Sequence, residues 1–465
     1  MFNPEDILNH YQKPVPRYTS YPTAPHFRSS DVGSKGQSEN SHFNAAISTF
    51  NDGLAALDPE EAISVYIHIP FCDRLCWFCG CHTKHTLKYA PIQRYIQSLI
   101  GEIGLVSDRL SFRPRLGQLH LGGGSPSLLI RDDLRQLRHA LDTAFIIDDA
   151  TEISIEIDPS DVDANSIQAM VDFGLTRASV GVQDFHEDVQ NAINRPQSFE
   201  VTRDVIAQLR AAGVESINID ALYGLPLQSH SRLSRTIEQC ITLAPDRMAL
   251  FGYAHVPWLK KHQNMIRTED LAGPLERYQH AQSASRQLIG AGYQAIGIDH
   301  FALPGDALSR AACAGKLHRN FQGYTTDAHE TLIGFGASSI GRFSDAYVQN
   351  TVPTLQYQHQ IGRSSLPKAK YLHLTEEDKL RGSIIERLMC DFALDFDNLD
   401  NHPASMVAEC LRLAQKFVVQ DAFDLCELDG SNFIIKPQAR AFARIVAAQF
   451  DAYYTHDQFQ YSRAV

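Results

Sequence analysis

Residues 63–79 read Ile-Ser-Val-Tyr-Ile-His-Ile-Pro-Phe-Cys-Asp-Arg-Leu-Cys-Trp-Phe-Cys, an apolar strand followed directly by three cysteines. Cys72, Cys76 and Cys79 stand at C-x3-C-x2-C spacing on one short loop. Protein-bound iron–sulfur clusters usually take four cysteine ligands. Three thiolates on one loop therefore predict a [4Fe–4S] cube whose fourth iron is open to a small molecule.

A zinc ion is the alternative metal that this loop could bind. Cys81 and His82 follow the three cysteines at once, and tetrahedral zinc accepts such sets of sulfur and nitrogen ligands. Zinc sites usually pair two separated knuckles, however, and the chain contains no second C-x2-C. The spacing therefore favours the iron–sulfur cluster over a closed zinc site.

The bulk composition excludes some classes of function. A formal net charge of −12 argues against general nucleic-acid binding, which depends on basic surface. The sequence has no apolar run long enough to span a membrane and no signal peptide, so we expect a cytoplasmic protein. Nine cysteines in such a chain indicate reduced thiols, and the five outside the loop are expected to be buried small apolar residues.

From residue 61 onward, strand-like and helix-like segments alternate. The predicted strands are 63–70, 118–122, 152–158, 177–183, 216–222 and 248–253. The predicted helices are 92–110, 134–145, 166–173, 201–212, 233–243 and 278–291. Six such units predict an α/β fold with parallel strands, arranged as a partial or full barrel or as a doubly wound sheet.

Glycines and polar residues cluster where the predicted strands end, which is where barrel enzymes place their active sites. Gly122–Gly124 suit either close approach of a ligand or a tight turn. Glu156 and Asp220 are acidic residues inside apolar strands, where an unpaired charge is costly. These two carboxylates indicate one of two things. They bind hydroxyl or ammonium groups of a ligand, or they form structural ion pairs within the protein.

The chain divides into three predicted regions. Residues 1–60 are irregular, with an exposed Ser- and Gly-rich loop at 29–40, and residues 61–364 form the barrel and its extension. Residues 365–465 form a mostly helical, winged-helix-like domain, with a hairpin turning at Asp429-Gly430 and a closing helix at 439–453.

The combination of motifs resembles the oxygen-independent coproporphyrinogen III oxidases, a family of radical S-adenosylmethionine (SAM) enzymes. The likeness covers roughly residues 10 to 460. The matching motifs are Arg17–Thr23, Tyr66–Cys81, Gly122–Pro126, Glu152–Pro159, Gly181–Phe185, Asn218–Pro226, Tyr253–His255, Asp299–Ala302 and His318–Thr326.

The resemblance implies a partial (βα)6 radical SAM barrel, with the N-terminal segment near the active-site mouth and a helical C-terminal domain. It implies oxidative decarboxylation of two propionates of coproporphyrinogen III to vinyls, giving protoporphyrinogen IX in haem biosynthesis. The implied cofactors are a [4Fe–4S] cluster and two SAM molecules, and the implied partner is a low-potential electron donor. The protein is expected to be a monomer.

The resemblance also assigns roles to individual positions. Cys72, Cys76 and Cys79 would hold the cluster, Cys81 would not be a ligand, and Tyr66 and His68 would be catalytic. The first SAM would contact Tyr66, Gly123, Glu156 and Ile340, and the second would contact Phe78, Gly124, Ser125, Gln183, Arg195, Asp220 and Ala254. Arg17 and Arg319 are the basic residues expected for substrate carboxylates. The match is loosest around Ile340, and Ser125 stands where threonine is common.

Two related functions compete with this one. Haem chaperones share the barrel and cluster, and they bind haem without turnover. A second relative opens the haem ring by radical chemistry. The Cys79-Gly-Cys81 pair and the Arg17–Thr23 segment favour the porphyrinogen oxidase over both.

Overall fold

Six parallel strands form the centre of the molecule in the computed structural model, which describes residues 3–11, 14–29 and 39–454. They are β1 (Ile63–Ile69), β2 (Leu116–Gly123), β3 (Glu152–Ile157), β4 (Arg177–Gln183), β5 (Ser216–Tyr223) and β6 (Arg247–Gly252). Each pairs with its neighbour in chain order. The edge strands of the sheet do not pair with each other within the described ranges, so the barrel is open, and the predicted partial (βα)6 fold is confirmed.

The barrel strands alternate between apolar and polar residues because successive side chains point to opposite faces of a sheet. In β1, Val65 and Ile67 are buried in the core beneath the helices, whereas Tyr66 and His68 line the inside of the barrel. The interiors of β3 and β5 are polar in the same way. A barrel core is usually filled by branched apolar residues, so this polar interior indicates a site and not simple packing.

Six helices cover the outer face: Tyr89–Ser107, Arg131–Ala144, Ala164–Phe173, Phe199–Ala211, His230–Thr242 and Pro274–Gly290. Side-chain caps fix where several of them begin. Asp163, Ser198 and Ser229 each accept a hydrogen bond from a backbone amide in the first turn, as N-cap residues do. The short helix Glu187–Ala192 follows β4. No helix of the described residues is long and apolar enough to cross a membrane.

The sheet extends beyond the six predicted strands on both sides. A seventh parallel strand, Leu332–Phe335, pairs with β1 and is followed by the antiparallel strands Ile340–Arg342, Ala346–Asn350 and Lys368–His373. On the other side, His300–Ala302 and Gln294–Ile296 pair antiparallel to β6. Strand Lys368–His373 therefore belongs to the main sheet, although the sequence placed residues after 364 in the C-terminal domain.

The prediction that residues 1–60 are irregular was wrong. Helices Pro4–His10 and Glu39–Ala55 occupy much of this region, and Arg28–Ser29 pairs with Lys368–His373. In the second helix Ala46, Phe50 and Leu54 are buried at a spacing of four, which brings them onto one helical face. The exposed loop predicted at 29–40 lies mostly outside the described residues, and position 39 already begins a helix.

The C-terminal region packs helices Glu376–Cys390 and Ala404–Gln420 against a three-stranded antiparallel sheet of Ala393–Asp395, Cys426–Asp429 and Asn432–Ile435. The hairpin turns at Asp429-Gly430 as predicted. The predicted closing helix is broken: a 3₁₀ turn at Pro437–Phe442, a short α-helix at Ala443–Ala447 and another 3₁₀ turn at Ala448–Phe450. This stretch is buried on nearly all sides, so tertiary contacts override the helical pattern.

The N-terminal segment 14–29 lies against this C-terminal region. The Tyr18 hydroxyl bonds to Asp451 at 3.1 Å, and Arg444 Nε donates to the Pro16 carbonyl at 3.0 Å. The Tyr454 hydroxyl donates to the Pro14 carbonyl at 2.9 Å. The first and last parts of the described chain are therefore joined in one structure.

A buried ion pair supports the back of β1. Glu102 and Lys368 are 0% and 2% exposed, and Lys368 Nζ lies 3.2 Å from Glu102 Oε1. Glu102 also accepts hydrogen bonds from the Gly336 amide and the Tyr357 hydroxyl, both at 2.8 Å, and from Asn350 Nδ2 at 2.7 Å. Every lone pair of the carboxylate is thus engaged, as a buried charge requires.

Candidate active site

The cysteine loop leaves the end of β1, where Pro70 stops the strand. Its backbone carbonyls are bound by side chains from distant segments. Lys260 Nζ donates to the Cys81 carbonyl at 2.9 Å, and His262 Nε2 donates to the Cys79 carbonyl at 2.7 Å. Gln263 Nε2 donates to the Phe78 carbonyl at 2.9 Å. The segment after β6 therefore fixes the second half of the loop.

The thiols of the loop influence one another. Burial, together with the nearby thiols of Cys79 and Cys76, raises the pKa of the Cys72 thiol. Burial also raises the pKa of Cys76, and Arg195 opposes this by donating from Nη1 to the Cys76 sulfur at 3.6 Å. Three soft sulfur donors within mutual reach suit an iron–sulfur cluster.

Cys81 acts on the loop through Cys79. Its backbone amide donates to the Cys79 sulfur at 3.4 Å. The hydrogen bond from the Cys81 thiol lowers the pKa of Cys79 to about 7. Hydrogen bonds of this kind stabilise a thiolate ligand from outside the coordination shell. Cys81 therefore has a role that does not require it to coordinate iron.

No three His, Cys, Asp or Glu side chains stand together as ligands for a single metal ion anywhere in the described ranges. All nine cysteines are free thiols. Cys240, Cys390, Cys410 and Cys426 are buried, as predicted, whereas Cys313 is exposed, which the sequence did not predict.

Tyr66 and His68 form a hydrogen-bonded pair on the inner face of β1. His68 Nε2 lies 2.9 Å from the His82 carbonyl, which can only accept, so Nε2 carries the proton. Burial lowers the pKa of His68, so the ring is neutral and Nδ1 accepts from the Tyr66 hydroxyl at 3.0 Å. His68 thereby links the tyrosine to the cysteine loop.

Glu156 is held at the end of β3 by donors from β2. Its Oε2 accepts from the Gly123 amide at 2.9 Å, and Oε1 lies 3.3 Å from His120 Nε2. Burial alone would raise the pKa of Glu156, but these hydrogen bonds outweigh burial and the pKa lies below its ordinary value. Glu156 is therefore an ionised acceptor inside the barrel.

The pKa of Asp220 is shifted in the opposite direction from that of Glu156. It accepts hydrogen bonds from the Ser179 hydroxyl at 2.9 Å and from Asn218 Nδ2 at 2.8 Å. Burial raises the pKa of Asp220, and the charge of Glu156 raises it further. The two carboxyls are thus close enough to interact, and Asp220 carries the proton more readily.

The glycine triplet after β2 is required by the protein's own packing. A Cβ at Gly124 would lie 2.5 Å from the Phe71 carbonyl oxygen, and one at Gly122 would lie 2.7 Å from Glu156 Oε1. Gly123 has φ +112° and its Cβ would lie 2.4 Å from the His68 ring. This close packing places Gly123 directly beside His68 and leaves it on the cavity wall.

We expect Gly123→Ala to destabilise the protein by roughly 1–3 kcal/mol, because the new Cβ forces both a left-handed backbone and a displaced His68 ring. Thermal unfolding of both proteins measures the loss. The matched control is Gly104→Ala, in the last turn of helix Tyr89–Ser107, where nothing lies within 4 Å of the new methyl. That change should stabilise the helix by about 0.5–1 kcal/mol; equal effects of the two changes would contradict the packing argument.

A cavity of about 1540 Å³ opens from the cysteine loop through the barrel. Several side chains with predicted roles line it: Tyr66, His68, Gly123, Glu156, Asp220, Ala254 and Ile340, and Cys81 lines it as well. Ordinary small-molecule pockets measure roughly 300–1,000 Å³. This cavity is therefore large enough for more than one ligand.

The other predicted contact residues lie in the walls behind the cavity. The Ser125 hydroxyl bonds to Asp161 and Ser127 and is buried. Arg195 forms an ion pair with Asp158 at 2.9 Å and donates to the Gly181 carbonyl at 2.8 Å. Phe78 packs against a small apolar cluster that includes Ile193. Gly124 packs on backbone, and Gln183 has a left-handed backbone with φ +67°.

Sequence reasoning missed several residues of the site. Arg277 and Arg444 line the cavity from helix Pro274–Gly290 and the C-terminal region, and Arg277 Nη2 donates to the Tyr253 carbonyl at 2.8 Å. His120 stacks on Tyr66 at 5.8 Å between ring centroids. The period of two along β2 points to His120, but no local pattern singles out the arginines.

The chain matches the family model of the Radical SAM superfamily over residues 66–240. It is 44% identical to coproporphyrinogen III oxidase, anaerobic 1, of Cereibacter sphaeroides, over 97% of this chain and 96% of the relative. It is 37% identical to the oxygen-independent coproporphyrinogen III oxidase of Pseudomonas aeruginosa, over 96% and 95%.

Among solved structures, coproporphyrinogen III oxidase from Escherichia coli superposes with a TM-score of 0.87 at 33% identity, and the match covers 97% of this chain and 100% of the other. Its published description calls it a radical SAM enzyme. Similarity over nearly the full chain, the three-cysteine loop and the large cavity agree with the [4Fe–4S] cluster and SAM as cofactors. The chain therefore belongs to the oxygen-independent coproporphyrinogen III oxidases, a family of radical SAM oxidoreductases.

Proposed function

We propose that this protein converts two propionates of coproporphyrinogen III to vinyl groups without oxygen, giving protoporphyrinogen IX. The observation that carries the proposal is the position of the cysteine loop, whose residues Gly80, Cys81 and His82 line a large cavity that also has arginines in its wall. Relatives that align over nearly the full chain are named for this oxidase activity. Cavity volume, wall charge and family membership all support a large anionic substrate.

Cys72, Cys76 and Cys79 would hold the cluster. The reduced cluster supplies the electron that cleaves SAM to methionine and a 5′-deoxyadenosyl radical. Arg195 and the Cys81 amide donate hydrogen bonds to the Cys76 and Cys79 sulfurs. These donors would stabilise the negative charge of the thiolates and hold the ligands in position.

The cavity wall nearest the loop would bind SAM. The first SAM contacts proposed are Tyr66, Gly123, Glu156 and Ile340, and all four line the cavity. Of the second set, Asp220 and Ala254 line it, whereas Phe78, Gly124, Ser125, Gln183 and Arg195 stand behind it. Glu156 is ionised and can accept hydrogen bonds from ribose hydroxyls or an ammonium group.

The reaction needs no acid or base from the protein at the reacting carbon. In the proposed reaction one hydrogen atom would be removed from the propionate carbon β to the carboxylate. Loss of CO₂, with transfer of one electron to an external one-electron acceptor, would then leave the vinyl group, so each propionate would consume one SAM. Tyr66 and His68 are the residues proposed to act in catalysis, and their hydrogen bond would fix the tyrosine against the bound cofactor.

The setting of the enzyme is part of the proposal. All nine cysteines are free, which fits a reducing cytoplasm. We expect a monomer that receives electrons from a low-potential donor protein. The net charge of −12 fits the expectation that nucleic acid is not a partner.

Anaerobic turnover tests the proposal. Reconstituted protein, SAM, a reductant and coproporphyrinogen III should yield protoporphyrinogen IX and 5′-deoxyadenosine together, in a ratio of one product to two cleaved SAM. Production of 5′-deoxyadenosine without decarboxylation would contradict the substrate and keep the radical chemistry. Stoichiometric haem binding without turnover would contradict the oxidase and favour a chaperone.

A further inference from the structure

Arg319 is a buried cation on the wall of the cavity. Its side chain is 4% exposed, and it lies on the short strand His318–Asn320. The guanidinium carbon stands 4.4 Å from the centre of the Tyr324 ring. Stacking of this kind orients the plane of the guanidinium and leaves its edge N–H groups to find partners.

Two nitrogens of the guanidinium have no hydrogen-bond partner among the described residues. Arg319 Nε and Nη1 are both buried without a hydrogen bond, while Nη2 donates to the Arg17 carbonyl at 3.4 Å. An unmade hydrogen bond at a buried charged group costs free energy. Such orphan donors in a native protein require a partner, and because Arg319 lines the cavity, a ligand that enters and turns the guanidinium toward itself would supply one.

The neighbourhood of Arg319 carries excess positive charge. Arg17 stands next to it, donates from Nη2 to the Gly252 carbonyl at 3.0 Å, and also lines the cavity. Among the described residues, Asp299 is the one carboxylate within 4.0 Å of either guanidinium, at 3.8 Å from Arg319. Asp299 is also engaged by His300 at 2.7 Å. One shared carboxylate therefore faces two cations.

Arg444 adds to this charge. Burial lowers the pKa of Arg444 to about 9, and the nearby charges of Arg17 and Arg319 contribute to this lowering. Asp299, Tyr223 and Cys81 are near enough to Arg17 to interact with its positive charge. The positive group is thus within electrostatic reach of Cys81 on the cysteine loop.

We propose that Arg319, supported by Arg17, is the docking point for one carboxylate of the macrocyclic substrate. The inference rests on the proposed function, because it takes the cavity's large ligand to be a tetracarboxylate. SAM also carries a carboxylate, but Tyr66, Gly123 and Glu156, which are proposed for the first SAM, lie on β1, β2 and β3. Arg319 lies outside these strands, on the short strand His318–Asn320 and 3.8 Å from Asp299, which directly precedes strand His300–Ala302, and it is a binding residue for the substrate.

Anaerobic titration with coproporphyrin III, the stable oxidised tetra-acid, tests the docking point without turnover. With full-length, cluster-loaded protein, Arg319→Met should bind it about 10- to 100-fold more weakly, as expected for lost hydrogen bonds to a charged group. Arg319→Lys keeps the positive charge but loses the planar, forked donor geometry of the guanidinium. Its affinity for coproporphyrin III should therefore lie between those of the wild type and Arg319→Met. Iron content and SAM affinity should be unchanged in both variants.

A second titration uses the tetramethyl ester of coproporphyrin III, which lacks the carboxylate charges. It should bind the wild type more weakly than the tetra-acid does, and it should not distinguish wild type from Arg319→Met. Arg440→Met removes one charge from the same cavity wall at an exposed residue stacked on Phe392, and it should change the affinity for the tetra-acid by less than about threefold.

The outcomes separate this inference from the proposed function. Equal affinity of wild type and Arg319→Met for the tetra-acid would overturn the docking point, even if coproporphyrinogen is turned over. So would equal binding of acid and ester by the wild type, or a loss of SAM affinity in place of porphyrin affinity. Absence of turnover by the wild type, with the affinity difference intact, would contradict the oxidase alone.

Discussion

Cys76→Ser abolishes cluster assembly, whereas Cys81→Ser retains it: this is the contrast we expect. Cys76 is one of three thiols that influence one another's ionisation on the loop. A serine hydroxyl is a poor ligand for iron, so Cys72→Ser and Cys79→Ser should behave like Cys76→Ser. Iron and sulfide analysis after anaerobic reconstitution, with the visible absorption of the cluster, measures the result.

Cys81→Ser keeps the backbone amide that reaches the Cys79 sulfur at 3.4 Å, and it keeps a hydroxyl donor in place of the thiol. Cys313→Ser, at an exposed cysteine far along the chain, controls for the loss of any one thiol. If Cys81→Ser loses the cluster as completely as Cys76→Ser does, four cysteines are ligands and the fourth iron is not open.

Lys368→Met should destabilise the protein by about 3–5 kcal/mol, because it leaves the buried Glu102 carboxylate without its counter-ion. Burial lowers the pKa of Lys368, and Glu102 opposes that effect, so each charge is tolerated only beside the other. The apparent unfolding temperature and the yield of folded protein measure the loss.

The double variant Glu102→Gln/Lys368→Met should recover much of the stability, because the remaining amide is neutral and keeps an acceptor for Gly336 and Tyr357. Lys379→Met removes a lysine from the exposed pair with Glu376, and it should cost no more than about 1 kcal/mol. A Lys368→Met protein as stable as the Lys379→Met protein would show that the buried pair contributes little.

The barrel was predictable because its signals are local. Alternation of apolar and polar residues along β1, β3 and β5 follows from the pleat, and each predicted strand overlaps an observed one. The cysteine spacing likewise placed the loop at the end of β1. Helix Glu39–Ala55 was missed although Ala46, Phe50 and Leu54 carry the helical spacing, so that signal was present in the sequence.

Other parts depend on contacts that no local pattern records. Strand Leu332–Phe335 sits in a glycine-rich stretch, and Gly334 is needed because a Cβ there would lie 2.8 Å from the Ile340 carbonyl oxygen. Arg277 and Arg444 lie in helical segments. The sequence pattern of a helix does not distinguish an arginine that faces a cavity from one that faces solvent. Lys260 and Gln263 bind the cysteine loop from a segment about 180 residues away.

The union of segment 14–29 with the C-terminal region has a consequence for biosynthesis. Pro16 accepts from Arg444 and Tyr18 bonds to Asp451, contacts that span 428 and 433 positions of the chain. Synthesis proceeds from the N-terminus and early domains fold first, so the cysteine loop leaves the ribosome long before these contacts can form. The cysteine loop is thus synthesised while the cavity wall still lacks Arg444, and the cavity acquires its full lining only when translation is nearly finished.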